Sequence, residues 1–515
     1  MNGSDLLIKS AVAAGIDVCF TNPGTSEAAL LRALDATPQV RTVLGLLEGV
    51  CAGAADGYGR MAGRPAMTLL HQGPGFANAV GNLHNAYRAR TPVLNIVGEH
   101  FTWHRAISPG LYLDVEALAA TVGWCRTIRS SDTLSRDVAD ALAAAFEGQV
   151  ATLVVPHDQQ LGGSRGEIVP VPRFVPGTVD QESVQRAAAL LRDHSPSLLM
   201  LGGKALSRNG LAAAARIKAV TGCALFTELF PIYWDRGAGL PVAERTAYRP
   251  GDQSGLRAYK GVVLAGMEEP LTFSGKPGVD SRILSQEQEK VSIGNPREDI
   301  VDAMERLADA LGAPDLKNLP KGSIADLKRP NLPQGGLTLE KACQALAALQ
   351  PEGAIIVEEG ITSCFAYYPV TGRVAPHTLV TTVGMTIGWG MPFAVGAALA
   401  CPDRPVICFE GDGSAMYTVQ ALWTHARESL DITTLILSNR AYNAVRLQAA
   451  REGISPGPAT LAATELARPP IGWVELARSL GVPAVSVETA EGLARELRIA
   501  LADPGPHLVE LVLPS

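Results

Sequence analysis

The sequence has no CxxC pair, no basic cluster interleaved with aromatic residues, and no unbroken apolar run long enough to cross a bilayer. Each absence removes a class of function. Asp and Glu number 51 against 44 Lys and Arg, and the formal charge of −7 argues against nucleic acid as the main partner. The eight cysteines (Cys19, Cys51, Cys125, Cys223, Cys343, Cys364, Cys401, Cys408) are scattered, without the spacing of a disulfide framework. They read as small core residues of a reducing compartment. The longest weakly polar run, 383–400, is interrupted by four glycines and Pro392. That suits a loop entering a buried helix better than a membrane span, so no membrane partner is expected. The first ten residues lack a basic segment followed by a long apolar one; no signal peptide is evident, and a cytoplasmic protein is expected.

What is present is 515 residues, 47% hydrophobic and 18% charged, enough for about three domains with large cores. The first block, 1–165, ends where Gly162-Gly163-Ser164-Arg165-Gly166 and Pro170-Val171-Pro172 break the pattern. The middle block covers 180–315. The third, 337–515, follows a stretch carrying Pro314, Pro320, Pro330 and Pro333. In the first block a strand over 17–20 leads through a glycine-containing loop to a helix over 26–36, then an apolar strand ending at Glu48 and a helix through Ala52, Ala55 and Gly59. The third block alternates alike: strand 354–357, helix 391–399, strand 406–409, helix 419–427. The middle block offers strand 198–201, Gly202-Gly203 and helix 210–220. The expected fold class is α/β, with three doubly wound parallel sheets of which the first and third look related.

Gly411-Asp412-Gly413-Ser414 is the most informative segment. It follows an apolar strand, and Asn439 stands 27 positions after Asp412 at the carboxyl end of another, 433–437. Asp412 offers a hard carboxylate oxygen, Asn439 an amide oxygen and Ala441 a carbonyl. That set suits Mg²⁺, which is octahedral, prefers oxygen and keeps phosphate and water in its shell. Glycines let backbone N–H groups approach a phosphate closely. The same four residues also spell an ordinary turn between strand and helix. The position of Asn439 favours a site, because ligands of open α/β sheets sit at the carboxyl ends of strands.

This segment resembles the cofactor signature of thiamine-diphosphate enzymes. The runs Phe20-Thr21-Asn22-Pro23-Gly24-Thr25-Ser26-Glu27, Leu46-Leu47-Glu48-Gly49-Val50, Ala55-Asp56-Gly57-Tyr58-Gly59-Arg60 and His71-Gln72-Gly73-Pro74-Gly75 are similar in order and spacing to the pyrimidine-binding domain of acetolactate synthase and benzoylformate decarboxylase. Gly384-Met385-Thr386-Ile387-Gly388-Trp389-Gly390-Met391-Pro392 resembles the segment on which the thiazolium ring rests. The resemblance implies a pyrimidine-binding, a central and a diphosphate-binding domain. It also implies thiamine diphosphate with Mg²⁺, a small 2-oxo acid as substrate, and decarboxylation or carboligation through an enamine. A homodimer at least, and by extension a homotetramer, is expected.

By the same resemblance Glu48 hydrogen-bonds the pyrimidine N1′, or else it caps the following helix, and Ile387 lies beneath the bent cofactor, or else it is an ordinary core residue. His71 matches the active-site histidine of benzoylformate decarboxylase. Thr25 stands where that enzyme places a serine against the substrate carboxylate, or else it caps the next helix. Gly24, Gly411, Gly413 and Ser414 are expected at the cofactor. Thr362 and Ser363 are either phosphate contacts or N-caps, and Asn443 is either a diphosphate donor or a common turn residue.

There are departures. Residues 181–320 hold one histidine, His194, where benzoylformate decarboxylase brings a catalytic one from its middle domain, and Val97-Gly98-Glu99-His100 has Glu where acetolactate synthase has Gln. Glu99, His100, Trp103, His104 and Tyr112 are either a substrate pocket or a surface loop. Gly202-Gly203-Lys204 lacks the GxGxxG spacing, so FAD is not expected. A regulatory relative without turnover and a flavin oxidase are the competing readings.

Overall fold

The structure is a computed structural model that describes residues 1–164, 166–246 and 252–514, with backbone only at 252–254; Arg165 of the first linker lies outside them. Among the described residues, eighteen strands form three sheets. The first sheet comprises β1 (Val18–Asn22), β2 (Arg41–Leu44), β3 (Ala66–His71), β4 (Val93–Glu99), β5 (Trp124–Thr127) and β6 (Val150–Pro156) in the order β2-β1-β3-β4-β6-β5, all parallel. The middle sheet takes β7 (Ser197–Leu201), β8 (Ala224–Thr227), β10 (Glu244–Arg245), β11 (Gly261–Ala265) and β12 (Glu289–Ile293), ordered β10-β8-β7-β11-β12; β9 (Trp234–Arg236) leaves it.

The third sheet has β13 (Ile355–Glu359), β14 (His377–Thr381), β15 (Val406–Gly411), β16 (Ile432–Ser438), β17 (Ala484–Val487) and β18 (His507–Val512). Its order, β17-β18-β16-β15-β13-β14, is that of the first sheet read from the other end. The two are one topology used twice. β9 adds to the β14 edge as an antiparallel strand, so the middle block reaches into the third sheet. β4, β6 and β16 are buried along their whole length, as parallel strands covered on both faces must be.

The first and third blocks share an apolar core. It is built around the Glu48–Ala62 and Gly390–Ala400 helices, which touch backbone to backbone. A Cβ on Gly57 would lie 2.0 Å from the Phe393 carbonyl oxygen, and one on Gly396 would lie 1.9 Å from that of Ala54. Beside this contact Arg60 forks onto Asp56 at 2.9 and 2.7 Å, Trp389 Nε1 donates to Asp56 at 2.6 Å, and Arg60 donates to the Thr381 carbonyl at 2.9 Å. A buried ion pair is tolerated only when its remaining groups are satisfied, and here they fix one block against the other.

Two expected elements differ. The strand before Glu48 stops at Leu44, because Gly45 breaks the run and Leu46 turns outward; Glu48 is the first residue of a helix. The helix expected over 26–36 splits into a 3-10 turn, Thr25–Glu27, and the Ala28–Asp35 helix.

Candidate active site

In the third sheet β15 and β16 run side by side, Gly411 opposite Leu437, so the residues following each strand meet at one edge. Asp412 is buried, and its carboxylate accepts from Gly413 N–H at 2.8 Å and from Arg440 N–H at 2.6 Å. Asn439 Oδ1 accepts from Ala441 N–H at 3.0 Å, and the Ala441 carbonyl accepts from Asn443 N–H at 2.8 Å. Burial pushes the Asp412 carboxyl up to about 6. Among the described residues no Lys or Arg side chain forms an ion pair with it, and a divalent cation would balance its charge. Carboxylate, amide and carbonyl oxygens, each with a lone pair to spare, fit Mg²⁺. The described residues contain no group of three or more His, Cys, Asp and Glu able to share a metal. A hard oxygen set is what this edge offers.

Around it, Gly413 is required by packing, since a Cβ would stand 2.4 Å from the Tyr442 ring. At Gly411 a Cβ would make ordinary contact, 3.5 Å from Ser414 Oγ, and Ser414 is buried beside it. Thr362 and Ser363 lie in the turn after β13; the helix that follows is capped at Ala366, so neither is its N-cap. Asn443 is exposed at the start of a helix, Asn443–Arg451, that buries none of its residues.

Ile387 is half-buried in the loop after β14 and is not a core residue. The first block holds that loop: Asn82 donates to the Gly388 carbonyl at 3.2 Å, while Asn85 donates to the Thr386 carbonyl at 2.9 Å and accepts from Thr386 N–H at 3.2 Å. Below it lie two buried carboxyls that the sequence did not single out. Glu359 accepts from Trp389 and Gly390 N–H at 2.8 and 2.6 Å, and Glu410 accepts from Met391 N–H at 2.9 Å. Burial pushes Glu359 up to about 7. Glu410 rises further, through burial and the neighbouring carboxyl of Glu359. Between them the two carboxyls accept the N–H groups that open the Gly390–Ala400 helix.

In the first sheet Glu48 is buried at the start of its helix, where Asn78 Nδ2 donates to Oε2 at 3.1 Å and Gly75 leaves room for Oε1. His71 ends β3, and its Nδ1 lies 2.8 Å from Glu27 Oε2 and 3.1 Å from Ser26 Oγ. Gly24 N–H is committed to Glu27 at 2.8 Å. Thr25 is exposed and caps nothing, because Gly24 and Glu27 occupy the cap positions of the two following helices. Glu27 and Ser26 are members of this site that sequence reasoning passed over. The only signal was their place in the motif.

At the end of β4, Glu99 is fully buried. Burial raises its carboxyl above the usual range; Oε1 accepts from His100 N–H at 2.7 Å, and Oε2 stands 3.7 Å from Arg105 Nε without a hydrogen bond. His100 Nε2 binds the Gly110 carbonyl at 2.8 Å and Trp103 projects into solvent. The group is therefore split between a buried ion pair and a surface loop. His194 is tied to Glu289 at 2.8 Å. At the carboxyl end of β7, where a dinucleotide phosphate would need a free amide, Gly203 N–H already donates to Glu228 at 3.1 Å.

The fold and the two half-sites define a cofactor-dependent α/β enzyme. The sequence family described as "Thiamine pyrophosphate enzyme, N-terminal TPP binding domain" matches residues 1–118, and its C-terminal counterpart matches 362–511. The chain belongs to the thiamine pyrophosphate enzymes. It is 43% identical, over 100% of its own length and 99% of the relative's, to a Mycobacterium tuberculosis (strain H37Rv) protein provisionally named acetolactate synthase large subunit IlvX. It is 27% identical to benzoylformate decarboxylase of Pseudomonas aeruginosa over 96% of each chain. The thiamine diphosphate-dependent 4-hydroxybenzoylformate decarboxylase of Rhodococcus jostii RHA1 matches with a TM-score of 0.87 at 22% identity, over 100% of this chain and 99% of that one. A Mycobacterium smegmatis protein described as a thiamin diphosphate-dependent enzyme matches all of both chains with a TM-score of 0.85 at 23% identity. These likenesses fix the three-sheet fold as that of the family.

Proposed function

We propose that this protein decarboxylates a small 2-oxo acid with thiamine diphosphate and Mg²⁺, releasing an aldehyde or joining the fragment to a second carbonyl. The observation that carries this reading is the convergence of Asp412 with the 439–441 loop on one strand edge. Asp412, Asn439 and Ala441 hold the cation. Gly411, Gly413, Ser414, Thr362, Ser363 and Asn443 surround the diphosphate, Ile387 supports the rings, and Gly24 closes the pyrimidine end. The cofactor, when bound, supplies a carbanion for the 2-oxo carbonyl and an electron sink for the leaving CO₂. Glu48 holds a proton at the pyrimidine ring nitrogen. His71 moves a proton at Nε2, and the exposed Thr25 hydroxyl meets the substrate carboxylate.

One copy does not complete this arrangement. Among the described residues no hydrogen bond joins Glu48 or His71 to the Asp412 edge. Met416, Tyr417, Val445 and Leu461 lie exposed near that edge, and Leu46 beside Glu48. We place Glu48 of one copy against the Asp412 loop of another, in a homodimer or a pair of them, and the eight free cysteines in the reducing cytoplasm.

Carboligation is favoured by the capture of His194, which leaves His71 without a second imidazole from the middle block. With Mg²⁺ and thiamine diphosphate added, CO₂ release from pyruvate, benzoylformate or another member of a 2-oxo acid panel is expected. Glu48→Gln should lower it by about 100-fold or more. No release by the wild type across the panel sinks the proposal in favour of a regulatory relative. Products formed from pyruvate with an added aldehyde decide between the two outcomes.

A further inference from the structure

Glu27 is wholly buried, and three groups hold its carboxylate. Oε2 accepts from Gly24 N–H at 2.8 Å and lies 2.8 Å from His71 Nδ1, while Oε1 accepts from the Ser26 hydroxyl at 2.7 Å. Ser26 Oγ in turn accepts from Gln72 Nε2 at 3.1 Å. A carboxylate so surrounded is an acceptor only, so Nδ1 carries a hydrogen, and the neutral ring keeps its lone pair at Nε2. Nε2 makes no hydrogen bond with the described residues, and the side chain retains 22% exposure.

Three strand ends give up space or comfort to this pair. At the end of β1 a Cβ on Gly24 would fall 2.3–2.4 Å from three atoms of the His71 ring, although its φ of −116° and ψ of −162° suit any residue. On β4 a Cβ on Gly98 would fall 1.9 Å from Glu27 Oε1. After β3, Gln72 holds φ at 48° although it is not glycine, and its buried Oε1 lacks a partner. Backbone strain and an unmatched acceptor at one spot mark a place where a ligand completes the bonding.

We propose that Glu27 is a positioning residue for proton transfer by His71. It fixes the ring plane and the tautomer, so that Nε2 is the nitrogen presented to the reacting substrate. The proton taken from a substrate hydroxyl resides on Nε2, the Nδ1 hydrogen stays in place, and Glu27 remains charged and balances the imidazolium until the proton is returned. The assignment rests on the 2-oxo acid reading above.

Glu27→Gln keeps an oxygen for Nδ1 and Gly24, lets the Ser26 hydroxyl turn to accept from the new amide, and removes the charge alone; kcat should fall about tenfold. Glu27→Ala frees the ring, and kcat should fall about 100-fold with KM within about threefold, the scale of a 1 Å misplacement. The double variant E27A/H71A should be no slower than H71A. Losses that multiply in the double variant, or that fall on KM with kcat unchanged, overturn the proposal.

If the wild type turns over no 2-oxo acid, the function fails separately, and the ring nitrogens decide. In full-length protein carrying ¹⁵N-labelled histidine, with His71 assigned against H71A, the neutral ring should be protonated at Nδ1, and E27A should show mixed tautomers. The same mixture in both proteins overturns the assignment.

Discussion

His425 lies in the Ala421–Arg427 helix with no exposed surface, and its Nε2 meets the Met391 carbonyl at 2.9 Å, at the start of the helix that carries the Ile387 loop. Nε2 is therefore the protonated nitrogen, and Nδ1 is left buried without a partner. A second proton would sit on Nδ1 with nothing to receive it. Burial accordingly pushes the imidazole down from 6.5 to about 4.

The sign follows from proton counts. Between pH 6.5 and about 4 the unfolded chain binds the proton and the native state does not, so stability is fully present above 6.5 and is lost as pH falls through 4. At roughly 1.36 kcal/mol per pH unit the loss amounts to about 3 kcal/mol. His425→Gln keeps a donor for the Met391 carbonyl and cannot titrate. We expect it to cost about 1–2 kcal/mol at pH 7 through imperfect packing, and to be the more stable protein at pH 4. Amide exchange in the Gly390–Ala400 segment, corrected for intrinsic rates, reads the difference locally in a chain too large for one global transition. A gap between wild type and variant that stays constant from pH 7 to 4 would refute the reasoning.

Gly24→Ala needs no change of backbone, yet its Cβ would stand 2.3–2.4 Å from the His71 ring, so the ring must move by about 1 Å to regain contact distance; kcat should drop by about 100-fold while the melting temperature shifts little, and an unimpaired enzyme would contradict the seat. Gly396→Ala places a methyl 1.9 Å from the Ala54 carbonyl and must part the two helices, at a cost of about 1–3 kcal/mol that denaturant unfolding with a core fluorophore such as Trp389 would detect; an unshifted midpoint would mean that the contact yields freely.

The approach of Asp412 to the 439–441 loop was legible because the residue types stand at fixed offsets. Asp412 and Asn439 need only the end of one apolar strand each, and both strands were visible as runs of Val, Ile, Leu and Thr. Strand order is a different matter. Nothing local to β13 or β1 states which strand lies beside it, so the shared topology of the first and third sheets emerged only from pairing. β9 went unnoticed because three residues, Trp234–Arg236, carry no periodicity, and its partner β14 lies some 140 positions away. At Glu48 the apolar run Val43-Leu44-Gly45-Leu46-Leu47 hid the strand's end, since hydrophobic pattern alone cannot tell a buried strand from a loop that tucks in every second residue.

Glu27 shows why function was harder to read than fold. In sequence it is an acidic residue at a helix start, where a solvated carboxylate is favourable through the helix dipole and needs no other explanation. Its role depends on being removed from water, and that removal is arranged by two glycines 74 positions apart, Gly24 and Gly98, whose missing side chains leave the volume that ring and carboxylate fill. A glycine is silent about what occupies the space it leaves. The same holds for Glu359 and Glu410, which look like ordinary strand-end acids until both are seen bonded to the N–H groups of 389–391. Buried carboxylates of this kind are legible only once the backbone amides that justify them have been placed, because their stabilisation comes from donors far away in the chain.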